Sequence, residues 1–130
     1  MQEVLVRCSL DRHTLWFSAN GSFATGHLTP DFRKDGRGRI EKGNLWEELT
    51  EPGKRASEQL MAHAAVHAVG GRTDGFTLTL VHPDSWDEVL PLVKRILGEW
   101  LQDRNIRLVC HPNIPQGVER WHLPLLERHG

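Results

Sequence analysis

Residues 76 to 111 constrain the fold more than any other stretch. The run FTLTLVH alternates with period two, so Phe76, Leu78, Leu80 and His82 share one face of a strand. From Trp86 onward the apolar positions change period. Trp86, Val89, Leu90, Val93, Ile96, Leu97, Trp100 and Leu101 trace one face of a helix, and Ser85 and Glu88 are spaced as a capping box. Pro91 falls late for a helix start and predicts an irregular first turn. A second strand-like run, IRLVCH, follows at 106 to 111. A strand, a helix and a strand in this order imply a right-handed parallel crossover, which puts the chain in the α/β class.

The N-terminal third reads differently. Val4, Val6, Cys8 and Leu10 alternate with Leu5, Arg7 and Ser9, the pattern of a half-buried strand. Asp11-Arg12-His13 makes a turn into a second strand over 14 to 19, and Asn20-Gly21 is a tight-hairpin signal into a third over 22 to 28. The expectation is a three-stranded antiparallel meander. Residues 30 to 43 hold Gly36, Gly38 and Gly43 with Arg33, Lys34, Arg37, Arg39 and Lys42, and read as a loop with at most a short strand near Ile40. Asn44 and Glu47 suggest a short capped helix. Pro52 opens a longer one, expected to end at Gly70-Gly71, with Ala56, Leu60, Ala64 and Ala68 as a stripe for packing on a sheet. Pro112 and Pro115 break the chain before a last helix around 118 to 128.

A chain of 130 residues fits one domain, 1 to 130, able to bury roughly two thirds of its unfolded surface. With 38% hydrophobic and 25% charged residues it belongs to neither the disordered nor the fibrous class. Its 16 basic and 17 acidic residues leave a net charge of −1, so no global field draws it to phosphate backbones and any nucleic-acid contact must be local. No apolar run approaches the ~20 residues of a membrane span, and the N-terminus lacks a signal-peptide pattern; the expectation is a cytoplasmic protein with no membrane partner. Cys8 and Cys110 lie in strand-like runs and read as core thiols.

Residues 6 to 28, VRCSLDRHTLWFSANGSFATGHL, resemble the N-terminus of the YqgF/RuvX family of Holliday-junction resolvases and pre-16S rRNA nucleases, whose pattern is similar to LGLDVGxKRIGVAxSD. Val81-His82-Pro83 falls where that family has a strand ending in GLP. CHPNIPQGVERWHLPLLERHG falls where it has D-E-R-L-T-T before a helix. The resemblance implies an RNase H-like three-layer domain with a mixed five-stranded sheet in the order 3-2-1-4-5. It also implies a site in which carboxylates hold two Mg²⁺ ions. Ungapped, however, Cys8 stands at the first catalytic Asp, and Cys110 and His111 stand at the Asp-Glu pair. The resemblance therefore implies either a catalytically degenerate module that binds nucleic acid or protein without a cofactor, or a divergent Mg²⁺ nuclease with a rebuilt site.

For the divergent nuclease the candidate catalytic residues are Asp84, Glu58 and His111. His63 and His67 at i and i+4 of the expected helix have the spacing of paired zinc ligands, but Ala64 stands where that motif has its Glu, so they are assigned no metal. His82 and His111 end two strands expected to be parallel neighbours, and Cys8 with His82 offers a nucleophile and base on adjacent strands. For the binding module, Arg33, Lys34, Arg37, Arg39 and Lys42 are the candidate phosphate contacts. They carry about +3 once Asp35 and Glu41 are subtracted, and would add salt-dependent affinity without sequence readout. Trp16 lies opposite Leu15 and Phe17 and marks a candidate partner surface.

Overall fold

The computed structural model describes residues 2–9, 11–25, 31–42, 44–110 and 126–127; at 31, 44, 45, 126 and 127 it describes the backbone alone. The elements, in chain order, are strands β1 (Gln2–Cys8), β2 (Thr14–Ser18) and β3 (Asp31–Arg33), helix α1 (Glu51–Met61), strands β4 (Val66–Arg72) and β5 (Gly75–Leu80), helix α2 (Trp86–Leu101), and strands β6 (Ile106–Cys110) and β7 (Leu126–Glu127). The strands form one mixed sheet in the order β3-β4-β5-β2-β1-β6-β7. β3 through β1 pair antiparallel along the row, whereas β1–β6 and β6–β7 are parallel.

Alternation decides which side of the sheet is packed. Val6 pairs with Phe17, Phe17 with Phe76, Leu15 with Leu78 and Leu78 with Val69, so these side chains line one face. They join Ala56, Leu60 and Met61 of α1 and Trp86, Val89, Leu90, Val93, Ile96 and Leu97 of α2 in a single hydrophobic core. α1 starts cleanly because the Thr50 side chain accepts from the Gly53 amide at 3.1 Å and Pro52 occupies the first turn. α2 ends where Gln102 turns left-handed at φ 53° and its amide donates to the Gly98 carbonyl. Trp86 is tied to the β1–β2 turn through its indole N–H, which donates to the Arg12 carbonyl at 2.8 Å.

The expected mixed α/β sheet is present, but not in the order 3-2-1-4-5. Residues 76 to 80 pair antiparallel with β2, not parallel with β1, and β6 is the direct parallel neighbour of β1. Residues 22 to 25 form no strand in this sheet; Ala24 makes an isolated bridge to Leu49, and 26 to 30 lie outside the described residues. The reason is local. Neither Asn20 nor Gly21 takes the positive φ that a two-residue hairpin turn requires; the Ala19 and Phe23 amides instead donate to the Asp74 and Thr73 carbonyls of the β4–β5 turn. Phe23 is then buried against Phe76 at 5.1 Å and edge-on to Trp100 at 5.5 Å.

The helix expected to reach Gly70-Gly71 ends at Met61, and its second half is β4. Val66 and Val69 favour a pleated strand, while the small residues fit either period. Ser85 makes no capping hydrogen bond; residues 83 to 85 form a 3₁₀ turn before α2. Of the helix expected around 118 to 128, Leu126–Glu127 is a strand and the rest lies outside the described residues. The described residues thus make two layers, sheet and helices.

Candidate functional site

β5 is antiparallel to β2 and β2 to β1, so β1, β5 and β6 all run the same way. Their carboxyl ends share one edge of the sheet, the place where α/β sheets usually hold ligands. The β1–β2 turn, the chain leaving β5 through His82 and Asp84, and the hairpin that follows β3 all lie at this edge.

Two of these, the β1–β2 turn and the hairpin after β3, are each held by one aspartate. Asp11 Oδ1 accepts the Ser9 hydroxyl at 2.6 Å and the His13 amide at 3.0 Å, and these bonds, the hydroxyl first, hold its carboxyl below the usual carboxylate range. The His13 ring faces elsewhere, its Nδ1 lying 3.0 Å from the Leu80 carbonyl. Ser9, Asp11 and His13 are therefore a turn motif rather than a nucleophilic relay, since the imidazole touches neither the hydroxyl nor the carboxylate. Arg12 at the tip sits at φ 65°, an uncommon conformation for a side chain with a Cβ. Asp35 does the equivalent work after β3. Its Oδ1 accepts the Arg37 amide at 2.7 Å and the Arg39 amide at 3.0 Å, and Lys34 bridges to Ile40, the short strand anticipated there being this bridge alone.

The five basic residues of this segment do not act alike. Lys34 turns inward and donates to the His63 carbonyl at 2.7 Å, and its burial lowers the ammonium pKa. Lys42 pairs with Glu58 at 3.1 Å and lies 4.7 Å over the Trp46 ring. Arg33, Arg37 and Arg39 are exposed.

The structure does not bring the candidate catalytic residues together. Glu58 is an exposed residue of α1 engaged with Lys42, Asp84 is exposed at the carboxyl edge after β5, and His111 lies outside the described residues. Among the described residues no three His, Cys, Asp or Glu side chains are grouped to hold a metal ion. His63 and His67 do not share a helix. His63 accepts the Ala65 amide on Nδ1 in the turn after α1, and His67 sits at the irregularity of β4 between Val66 and Ala68. β5 and β6 are separated by β2 and β1, about 14 Å at the usual strand spacing, so His82 and residue 111 do not end neighbouring strands. Cys8 and His82 likewise belong to strands separated by β2.

Neither cysteine is in a disulfide, as expected, though for another reason. β1 and β6 are neighbours, with Cys110 opposite Val6. One strand spacing and a two-residue offset set the Cα atoms of Cys8 and Cys110 about 8 Å apart. That exceeds the ~7 Å reach of a disulfide. Cys8 donates to its neighbour's carbonyl at 3.2 Å, and burial pushes its pKa up to about 12, so it remains a neutral thiol at physiological pH.

Sequence reasoning did not find a recess at the edge of the sheet where β1 begins and β2 ends. It is lined by Gln2, Glu3, Leu5, Ser18, Asn20 and Asp74, and it adjoins Trp16, because Ser18 pairs with Leu5 in the row beside the Arg7–Trp16 pair. Gln2 Oε1 is buried without a hydrogen-bond partner among the described residues, on the side of β1 that Val4 and Val6 also occupy.

No family model matches this chain, and neither does any curated protein or solved structure. Fold and edge define an α/β domain with a mixed sheet and a basic hairpin at its carboxyl edge. None of its helices is long and apolar enough, among the described residues, to cross a membrane.

Proposed function

We propose that this chain is a nucleic-acid-binding module that contacts phosphates through the hairpin after β3. The observation that carries this reading is the exposed pair Arg37 and Arg39, whose backbone amides are fixed on Asp35. Two guanidiniums on a rigid tip lose little backbone entropy on meeting phosphates, and each offers a planar fork of donors suited to them. The carboxylate that fixes them is already satisfied by amides, which reduces its competition for the same arginines. Cys8, where the YqgF/RuvX resemblance implies a metal-binding carboxylate, is a neutral thiol and supplies no countercharge for Mg²⁺. This favours binding over hydrolysis. The reading does not depend on that resemblance, since the sheet has a different strand order.

Salt-dependent binding of a labelled 12-mer, single-stranded and duplex, tests the proposal. Binding at about 50 mM salt that weakens as salt rises is expected, and Arg37→Ala with Arg39→Ala should flatten the slope by about two units. No binding of either form at that salt overturns it.

A further inference from the structure

The hairpin after β3 is short, anchored at its base and open at its tip. Lys34 and Ile40 are its bridged pair, Lys34 reaching the His63 carbonyl at 2.7 Å and Ile40 packing against the core. Beyond them the Asp35 amide donates to the Arg39 carbonyl at 2.8 Å, and the Gly38 amide donates to the Asp35 carbonyl at 3.1 Å. Gly38 takes φ 78°, so Gly36, Arg37 and Gly38 form the kind of three-residue loop in which a glycine supplies the left-handed step. A Cβ at Gly36 or at Gly38 would meet nothing within 4 Å, which leaves Arg37 on a bare and narrow end.

Charge is unevenly placed along this hairpin. By alternation Arg33, Asp35, Arg39 and Glu41 fall on the side away from Lys34 and Ile40, and their signs alternate. Laid flat on a phosphate backbone, that side would bring Asp35 and Glu41 against the phosphates along with the arginines, and Arg33 already has a contact within the chain. The tip is different. Arg37 and Arg39 are exposed with no ion pair among the described residues, and the Asp35 carboxylate accepts their backbone amides at 2.7 and 3.0 Å. On a chain of net charge −1, a tip-first approach is the one in which this hairpin presents a surplus of positive charge.

We propose that Arg37 and Arg39 enter the minor groove of an A·T-rich B-form duplex, with the tip leading and a phosphate strand on either side of it. About two residues per strand, roughly 7 Å, extend past the anchored pair, so the backbone stays at the mouth of the groove and the guanidiniums enter. A slot about 6 Å wide and 7.5 Å deep admits such planar side chains in single file. The major groove, about 12 Å wide, is filled by a whole β-ribbon, which so short a stub does not deliver. A·T tracts narrow the minor groove and strengthen its negative potential, which favours inserted arginines. Guanine instead sets an exocyclic amino group on the groove floor, where it faces the guanidiniums donor to donor. Arg37 and Arg39, two residues apart, span at most about 7 Å, close to two base-pair rises, so both reach base edges of one short tract.

This inference rests on the proposed function but fails separately from it. Affinities of the full chain are measured for three short DNA duplexes, A·T, G·C and inosine·cytosine, and for an A·U RNA duplex. The variant Arg37→Lys with Arg39→Lys is run beside the parent, with thermal melts to establish folding. Inosine lacks the guanine amino group, so its duplex presents the major groove of G·C and the minor groove of A·T. The A·T and inosine·cytosine duplexes should bind alike, and about tenfold more tightly than G·C or the RNA, whose minor groove is wide and shallow. The lysine pair keeps the charge in a more strongly hydrated form and should erase most of that preference. Should it melt early, the parent's ranking of the four duplexes decides. A preference for G·C, inosine·cytosine behaving as G·C, or a preference that survives the lysine pair overturns minor-groove entry by these arginines. Equal salt-dependent affinity for all four, flattened by Arg37→Ala with Arg39→Ala, also overturns it while leaving the phosphate-binding module intact. No binding at about 50 mM salt, or binding of oligoglutamate while nucleic acid is ignored, overturns both.

Discussion

Phe17 and Trp16 are consecutive residues of one strand and meet opposite fates. Phe17 is 1% exposed, its ring tilted against that of Phe76 at 5.0 Å in the core that the helices cover. Trp16 is half-buried among threonines and small residues on the other face, without a ring partner among the described residues. The packed face spends its side chains on cohesion and the other holds groups that cohesion does not need. A surface freed of that duty tolerates substitution, and changes there should register little in stability.

The sharpest way to break this contrast is Phe17→Ala, which should destabilise by about 3–5 kcal/mol in chemical denaturation, against less than about 1 kcal/mol for Trp16→Ala. Equal costs would mean that the second face is packed as well. Next comes the thiol of the packed face. Cys8 has its pKa raised from 9.0 to about 12, so the folded state favours the neutral thiol. The stability this represents is complete below pH 9 and falls away as pH rises from 9 toward 12. Alkylation of Cys8 in the native protein should be negligible at pH 8 and rapid once the chain is unfolded, as peptide mapping would reveal. A smaller effect concerns the rim between the faces: Arg12→Gly relieves a left-handed residue and should stabilise by roughly 1 kcal/mol, visible as a modest rise in Tm. The smallest belongs to the unpacked face, where Thr14 and Thr79 share a hydroxyl hydrogen bond at 2.9 Å. Thr79→Val removes that bond while keeping the side-chain shape, and should change stability by about 0.5–1.5 kcal/mol, at the lower end because the pair is only half-buried.

Much of the core was legible because period carries it. The α2 face from Trp86 to Leu97 and the alternation of β1, β2 and β5 sort these residues correctly into packed and unpacked sides, whereas in β6 Val109 is buried on the side opposite Ile106 and Leu108 and Cys110 is only partly buried. β4 was not legible, since Ala64 and Ala68 satisfy a helical stripe, whereas the strand's packed residues Val66 and Val69 are out of period two because of the irregularity between Val66 and Ala68, and only pairing with β5 decides. Asn20-Gly21 misled for a related reason: the local turn preference is outweighed by Phe23 reaching the core and by amides docking on Thr73 and Asp74. In the candidate site the basic segment could be read, but not that Lys34 and Lys42 are already committed to His63 and Glu58. The recess beside Trp16 gathers Gln2, Ser18 and Asp74 from three separate strands or turns, and no spacing rule announces such a meeting.

The place of β1 in the sheet also bears on how the chain can be made. One of its edges is satisfied early by β2, but the other pairs with β6, Val4 lying opposite Leu108. During synthesis from the amino end, that edge stays open while about a hundred further residues are added, about 5–20 seconds at usual elongation rates. An apolar strand with an unpaired edge is an invitation to other nascent chains. Arg7 and Glu3, alternating with Val4, Val6 and Cys8, place charge along that waiting strand, the usual means by which a sequence discourages the wrong neighbour until the right one arrives.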